Sequence, residues 1–302
     1  MKSSTLIITV LITAAICLAG CLSTLSKVGT GIAVATGTMS AGQAESVNKV
    51  AVAAEKTFQD ITPEQEYYIG RSVAACILKQ YKVYDNKNAN NYLNVLGQSL
   101  SAFSDKPSTF GGYHFIIMDT DEINAFAAPG GLVLVSRGLL RCCRNEDALA
   151  GVLAHEVSHV QYAHGLKAIS KSRFTSLGTV IGTEALKTFG PSQLAEVTKV
   201  FEGTINDITS TIVNSGYARK FETQADAGAV TIMTRVGCDP NGLKQMLQEM
   251  EHRLKPGGAG FSKTHPDPKV RIKDIESLIK GATVSAPLAA RQARFDKAMA
   301  GI

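Results

Sequence analysis

The stretch Asn145-Glu146-Asp147-Ala148-Leu149-Ala150-Gly151-Val152-Leu153-Ala154-His155-Glu156-Val157-Ser158-His159-Val160 decides how this chain is read. Asn145 is a good N-cap, and Leu149, Val152, Leu153 and Val160 recur at the spacing of one helical face. Inside that helix His155 and His159 are four residues apart, so both imidazoles reach the same ion. Glu156, one step round, can face a water bound to it. Two ligands do not complete a catalytic zinc site, which takes three from the protein and keeps one position open.

The third ligand is not the next histidine of a metzincin, because Tyr162 and Gly165 stand where that pattern requires Gly and His. It is sought downstream. Phe221-Glu222-Thr223-Gln224-Ala225-Asp226 falls on a helix expected from about Tyr217 to Val236, with Glu222 and Asp226 four apart on one face. Glu222 can ligate while Asp226 accepts the second N–H of a ligand imidazole, which fixes its tautomer and strengthens its donation. The predicted centre therefore holds one zinc per chain on His155, His159 and Glu222, with Asp226 behind them. In its mechanism zinc lowers the pKa of its bound water and polarises the scissile carbonyl, and Glu156 carries the proton to the leaving amine.

Asn124-Ala125-Phe126-Ala127-Ala128-Pro129-Gly130-Gly131, Gly138-Leu139-Leu140, His155 to His159, Arg219-x-x-Glu222-x-x-x-Asp226 and His265-Pro266 follow one another in the chain. In this order they resemble the motifs of the gluzincin metallopeptidases of the HtpX and CAAX-prenyl-endopeptidase type, over about residues 60 to 280. The lipid-anchored periplasmic members are the most similar. The resemblance implies a zincin core, proteolysis and envelope quality control.

The remaining signals place elements around this centre. Thr62-Pro63-Glu64-Gln65 reads as a capping box with Pro at the first helical position, opening a helix to about Tyr81. Asn90 to Phe103 is helical, Tyr113 to Met118 is a strand, and Asn124–Ala128 and Leu132–Ser136 are extended around Pro129-Gly130-Gly131. Helix dominates after Asn145, with stops at Gly165, Gly190-Pro191, Gly237 and the Pro256–Gly260 loop. The fold class is α+β, mostly helical, with a small sheet. The two extended segments offer an edge to which a substrate chain adds as a strand, through Asn124, Ala125, Phe126 and Ala127, or they form an ordinary turn.

Single residues leave alternatives open. His265, in a Pro-rich loop, either donates to the tetrahedral oxyanion, closes the site as a fourth ligand, or has no role. His164 is structural or orients the cleft. Arg219 and Arg271 pair with cleft carboxylates or lie on the surface. Arg291, Arg294 and Lys297 share one side of a C-terminal helix, read as solvated or as touching a membrane surface.

Composition sets the class and compartment. Of 302 residues 45% are hydrophobic and 19% charged, which excludes a disordered or collagen-like chain. A net charge of +5 without a basic block, no Trp and 6% aromatic residues give no footprint for nucleic acid. The apolar run Leu6 to Ile16 followed by Leu18-Ala19-Gly20-Cys21 reads as an export signal over residues 1–20 ending in a lipobox, with Cys21 lipidated. Residues 21–58 are then anchor and Gly/Ala/Ser/Thr-rich tether, 59–280 the metallopeptidase domain, and 281–302 a helical tail. Leu22 after the cysteine points to the outer membrane, with the domain facing the periplasm. In an oxidising compartment one disulfide among Cys76, Cys142, Cys143 and Cys238 is expected, its pairing open.

The function expected is a zinc endopeptidase acting on unfolded, misfolded or unassembled envelope proteins. The alternatives are a chaperone or assembly factor for outer-membrane proteins with a latent metal site, and a lipoprotein with a purely structural zinc. If residues 1–20 are a lipoprotein signal, globomycin makes the unprocessed precursor accumulate in the producing cell. An unchanged precursor size on a gel refutes the lipid anchor.

Overall fold

A computed structural model describes residues 61–169, 202–253, 264–280 and 289–302. The signal, Cys21, the tether, the stop at Gly190-Pro191 and the Pro256–Gly260 loop lie outside the described residues. Helices α1 (Pro63–Leu78) and α2 (Lys87–Ser101) come first. They precede β1 (His114–Met118), β2 (Ala125–Ala128) and β3 (Leu132–Ser136). Helices α3 (Arg137–Leu140), α4 (Glu146–Gln161) and α5 (His164–Lys167) follow. After a helical stretch at 202–210 and a π-turn at Thr211–Ser215 come α6 (Arg219–Val236), α7 (Asn241–Arg253), α8 (Pro268–Ile279) and α9 (Ala289–Met299). The architecture is α+β and mostly helical, as expected.

Local chemistry explains the boundaries. Thr62 and Gln65 satisfy each other's backbone N–H groups in the capping box, with Pro63 at the first turn of α1. The Asn145 side chain accepts from Ala148 N at 2.7 Å, and α4 begins at the next residue. The α4 helix is buried on every side from Ala148 to Val160, so it is the core helix of the domain rather than an amphipathic surface one. Helices α6 and α7 pack along it, α2 crosses it, and β2 lies against it. The helix at α6 stops at Gly237, whose φ of 76° makes the left-handed C-cap.

The sheet has the order β1-β3-β2. β1 runs parallel to β3 from His114↔Leu132 to Met118↔Ser136, and β2 pairs antiparallel with β3 from Ala125↔Val135 to Ala128↔Leu132. Leu132–Ser136 is therefore the central strand, hydrogen-bonded on both sides, and cannot supply the edge expected of it. β2 does lie at the edge, but Asn124 and all four of its own residues are buried. The hairpin closes through Pro129-Gly130-Gly131, where Gly130 and Gly131 take φ of 75° and 99°. Gly130 N donates to the buried Glu66 carboxylate, which also pairs with Lys106 at 2.7 Å. Helix α1 thus holds the turn from beneath.

Two expectations change. The C-terminal helix is not a solvated tail: Phe295 and Ala298 are buried against the core. Arg294 binds the buried Glu146 carboxylate, and Arg291 reaches Asp147 at 3.3 Å. The acidic first turn of α4 attracts cations poorly by its own dipole but strongly by its two carboxylates, and α9 supplies them. The four cysteines Cys76, Cys142, Cys143 and Cys238 are all free thiols, so the expected disulfide is absent among the described residues. Burial pushes the Cys142 thiol up to about 11 and Cys238 up to about 12. No helix of the described residues is long and apolar enough to cross a membrane.

The close approach of α1 to the turn makes a direct test. A Cβ on Gly70 would stand 1.7 Å from the Pro129 carbonyl oxygen, a backbone atom that cannot swing aside. Gly70→Ala is expected to destabilise the domain by about 2 kcal/mol or more, seen as a lower midpoint in urea unfolding. A wild-type midpoint would show that α1 does not seat on the turn this closely.

Candidate metal centre

Two packed helices bring the centre together. His155 and His159 project from one face of α4, and Glu222 comes from the first turn of α6, which packs along it. The facing nitrogens His155 Nε2 and His159 Nε2 are 3.1 Å apart. Glu222 Oε2 lies 3.6 Å from the first, and Glu222 Oε1 3.4 Å from the second. All three side chains are nearly inaccessible to solvent.

This triangle fits a metal ion. Ligands held about 2.0–2.1 Å from a tetrahedral zinc stand roughly 3.3 Å from one another, close to the spacings here. Glu222 Oε1 is moreover a buried carboxylate oxygen with no hydrogen-bond donor, an arrangement that costs free energy unless a cation satisfies it. Burial lowers the His159 pKa to about 3, whereas at His155 burial and Arg271 are outweighed by Asp226 and Glu222, which raise it to about 9. His265 joins the group, its Nδ1 2.7 Å from Glu222 Oε2, and the four residues can offer ligand atoms that lie within 4.8 Å of one another.

Behind these side chains stand fixed partners. His155 Nδ1 lies 2.9 Å from Asp226 Oδ1, one turn beyond Glu222 on α6. Arg271 of α8 clamps the same carboxylate with two bonds, Nε to Oδ2 at 3.0 Å and Nη2 to Oδ1 at 2.6 Å. Burial works against the Asp226 charge, but Arg271 and His155 outweigh it and hold its pKa at about 2. On the other ligand, His159 Nδ1 meets His164 Nδ1 at 2.9 Å, and Tyr217 stacks on the His159 ring at 4.5 Å. Glu156 is buried beside this group, and burial raises its pKa despite the imidazoles near it.

The structure thus collects His155, Glu156, His159, Glu222, Asp226 and His265 in one buried place. Arg271 pairs with a cleft carboxylate, whereas Arg219, three residues before Glu222, is exposed. Asn124 touches this region through Thr264, whose hydroxyl lies 3.3 Å from Asn124 Oδ1. Ala125, Phe126 and Ala127 continue from it as the buried edge strand. Tyr217 carries no signal in the sequence, since it stands before α6 begins and has no periodic partner. His164 is five residues from His159, off its helical face. Only a break in the helix brings the two rings together: Ala163 takes φ 54°, the one non-glycine residue with positive φ among those described.

Known proteins are similar to this chain in sequence. The chain is 31% identical to the beta-barrel assembly-enhancing protease of Yersinia pestis over 195 residues, 62% of this chain and 38% of that protein. It is 30% identical to the protein of the same name from Escherichia coli (strain K12) over 192 residues, with the same coverage of both chains. The mitochondrial metalloendopeptidase OMA1 of Schizosaccharomyces pombe is 32% identical over 167 residues, 53% of this chain and 45% of that one. The chain therefore spans less than half the length of these relatives. Residues 87–279 match peptidase family M48. That span runs from α2 through both ligand helices to the end of α8, and the chain belongs to this family.

Proposed function

We propose that this protein is a zinc-dependent endopeptidase of the bacterial cell envelope that cleaves misfolded or unassembled proteins. The observation that carries the reading is the buried Glu222 carboxylate, whose donor-free Oε1 lies 3.4 Å from His159 Nε2 while its Oε2 lies 3.6 Å from His155 Nε2. Two nitrogens and one carboxylate suit zinc over calcium or magnesium, which prefer oxygen ligands. In this reading His155, His159 and Glu222 hold the ion, and the Asp226–Arg271 pair keeps the His155 ring turned toward it. When bound, zinc supplies Lewis acidity to the scissile carbonyl and to the attacking water. Glu156 takes the proton of that water and passes it to the leaving amine, so that one carboxylate serves as base and then as acid.

His265 adds a condition. With it the group has four ligands, the composition of a closed site, whereas catalysis needs a free position. In this reading the resting enzyme is latent, and His265 leaves before a substrate enters. The same movement frees the edge at β2, because Thr264, next to His265, is bonded to Asn124. An extended chain then adds along Asn124, Ala125, Phe126 and Ala127 by main-chain hydrogen bonds, which selects unfolded segments over folded ones.

The sequence before the domain and the relatives support a place in the cell envelope. The lipobox at Cys21 supplies an anchor on the periplasmic face, here assigned to the outer membrane, since multiple acyl chains hold a protein stably without a spanning helix. Relatives named for enhancing beta-barrel assembly support substrates among outer-membrane proteins and a meeting with their assembly machinery.

Two variants test the chemistry. Glu156→Gln retains its zinc and loses casein cleavage by roughly 10²–10⁴-fold. Wild-type turnover in a zinc-loaded Glu156→Gln protein would overturn the mechanism. His265→Ala raises the basal cleavage rate if the residue is a latch. A fall in kcat at unchanged zinc content would instead make it a donor to the oxyanion.

A further inference from the structure

The two imidazoles of the metal group are held in different ways. His155 has a carboxylate behind it. His159 has no acid there: its Nδ1 faces His164 Nδ1 at 2.9 Å, and His164 Nε2 faces Gln224 Oε1 at 3.1 Å. His164 is fully buried, and aromatic rings lie over both imidazoles. Tyr217 is within 20° of parallel to His159 at 4.5 Å, and Phe221 within 23° of parallel to His164 at 4.5 Å. These stacked rings set the planes in which the nitrogens point.

The protons along this line follow from what each atom can do. An amide oxygen only accepts, so His164 Nε2 carries the hydrogen. A neutral imidazole then has a bare Nδ1, and the contact between the two δ nitrogens takes its one hydrogen from His159. With its proton on Nδ1, neutral His159 presents a lone pair at Nε2. That atom faces His155 Nε2 at 3.1 Å and Glu222 Oε1 at 3.4 Å.

We propose that His164 and Gln224 form an uncharged relay that locks His159 in the tautomer able to bind metal through Nε2. They are positioning residues, not ligands: His164 is absent from the group whose ligand atoms converge. The relay depends on the left-handed residue Ala163, which ends α4 and turns His164 back onto the preceding turn. Backbone held in a rare conformation at a functional group is the expected place for such a device. Gln224 sits on α6 two residues beyond Glu222, so the helix that supplies the carboxylate ligand also sets the tautomer of a histidine on α4. This inference rests on the metallopeptidase reading only for its use; the tautomer itself is a property of the metal-free protein.

The test uses the full-length protein stripped of zinc by a chelator, with zinc itself as the probe. Nitrogen-15 NMR of the histidine rings in the stripped wild type is expected to show His159 protonated at Nδ1 and bare at Nε2. Competition with a chelating dye then gives zinc affinities for His164→Phe, Gln224→Leu and Gln224→Glu. Loss of a partner behind a metal histidine weakens binding by roughly 10–100-fold, the effect expected for His164→Phe and Gln224→Leu. Gln224→Glu keeps an accepting oxygen and restores the affinity, which a merely structural role for residue 224 would not produce. The proposal is overturned if His159 carries its proton on Nε2, or if Gln224→Glu binds zinc no better than Gln224→Leu. Should His164→Phe fail to fold, the Gln224 pair and the NMR measurement still decide. A wild type that shows the expected tautomer but takes up no zinc would leave the relay standing and remove the metallopeptidase reading.

Discussion

Glu222 is a negative charge placed where water cannot reach it, with one oxygen on His265 and the other on no hydrogen-bond donor. A carboxylate in that position is tolerable only if the groups around it cannot drift, because each ångström of added separation from an imidazole leaves the charge less compensated. Much of the fold can be read as the means of preventing that drift. Helix α4 is buried on nearly all sides, which removes the freedom of a surface helix to tilt, and α6 lies along it for most of its length. The other buried charges of the centre form a second compensated set, in which Arg271 neutralises Asp226 through two parallel bonds. A guanidinium fork suits this task better than an ammonium, since it fixes direction as well as charge.

The ends of the core helix are held by similar means. Its first turn carries Glu146 and Asp147, and the Arg294 and Arg291 side chains of α9 close over them, with Tyr92 of α2 donating to the same Glu146 carboxylate at 2.7 Å. At the far end, Ala163 and the short α5 replace a gradual fraying with a sharp return. His155 and His159, nine and thirteen residues beyond the first residue of α4, are thus held by contacts at both ends of the helix, so the C-terminal helix belongs mechanically to the centre although it lies far from it in sequence.

How much of this was legible beforehand depended on periodicity. His155, Glu156 and His159 could be read because a four-residue spacing in a helix states which side chains share a face, and Glu222 with Asp226 repeats the same spacing. Capping residues announced themselves too, since Thr62 with Gln65 and Asn145 each satisfy a fixed set of backbone donors. What escaped were relations that no period encodes. The order of the strands puts Leu132–Ser136 in the centre because β1 joins it in parallel from a distance, a long-range pairing that alternation along a strand does not specify. Arg291 and Arg294 looked solvated because a basic helix face has that appearance whenever its acidic partner is 144 or 148 residues away. His164 lies five residues from His159, a spacing that a continuous helix would point elsewhere.

The two neighbours of the centre that come from the end of the chain stand on opposite sides of a helix cap. His265 and Arg271 are six residues apart; one approaches Glu222 and the other grips Asp226 one helical turn further on. Arg271 belongs to α8, whose start is fixed by the Asp267 side chain accepting from Lys269 N and by Pro268 in its first turn. His265 precedes that cap and is separated from it by Pro266, outside the helical hydrogen-bond ladder. A displacement of His265 can therefore be absorbed at residues 266 and 267 without turning α8, and the Arg271–Asp226–His155 contacts need not change with it. Had His265 been carried on the helix itself, any shift of it would have pulled on Arg271 and so on the contacts behind His155. The cap between them separates the backbone that carries His265 from the helix that carries Arg271.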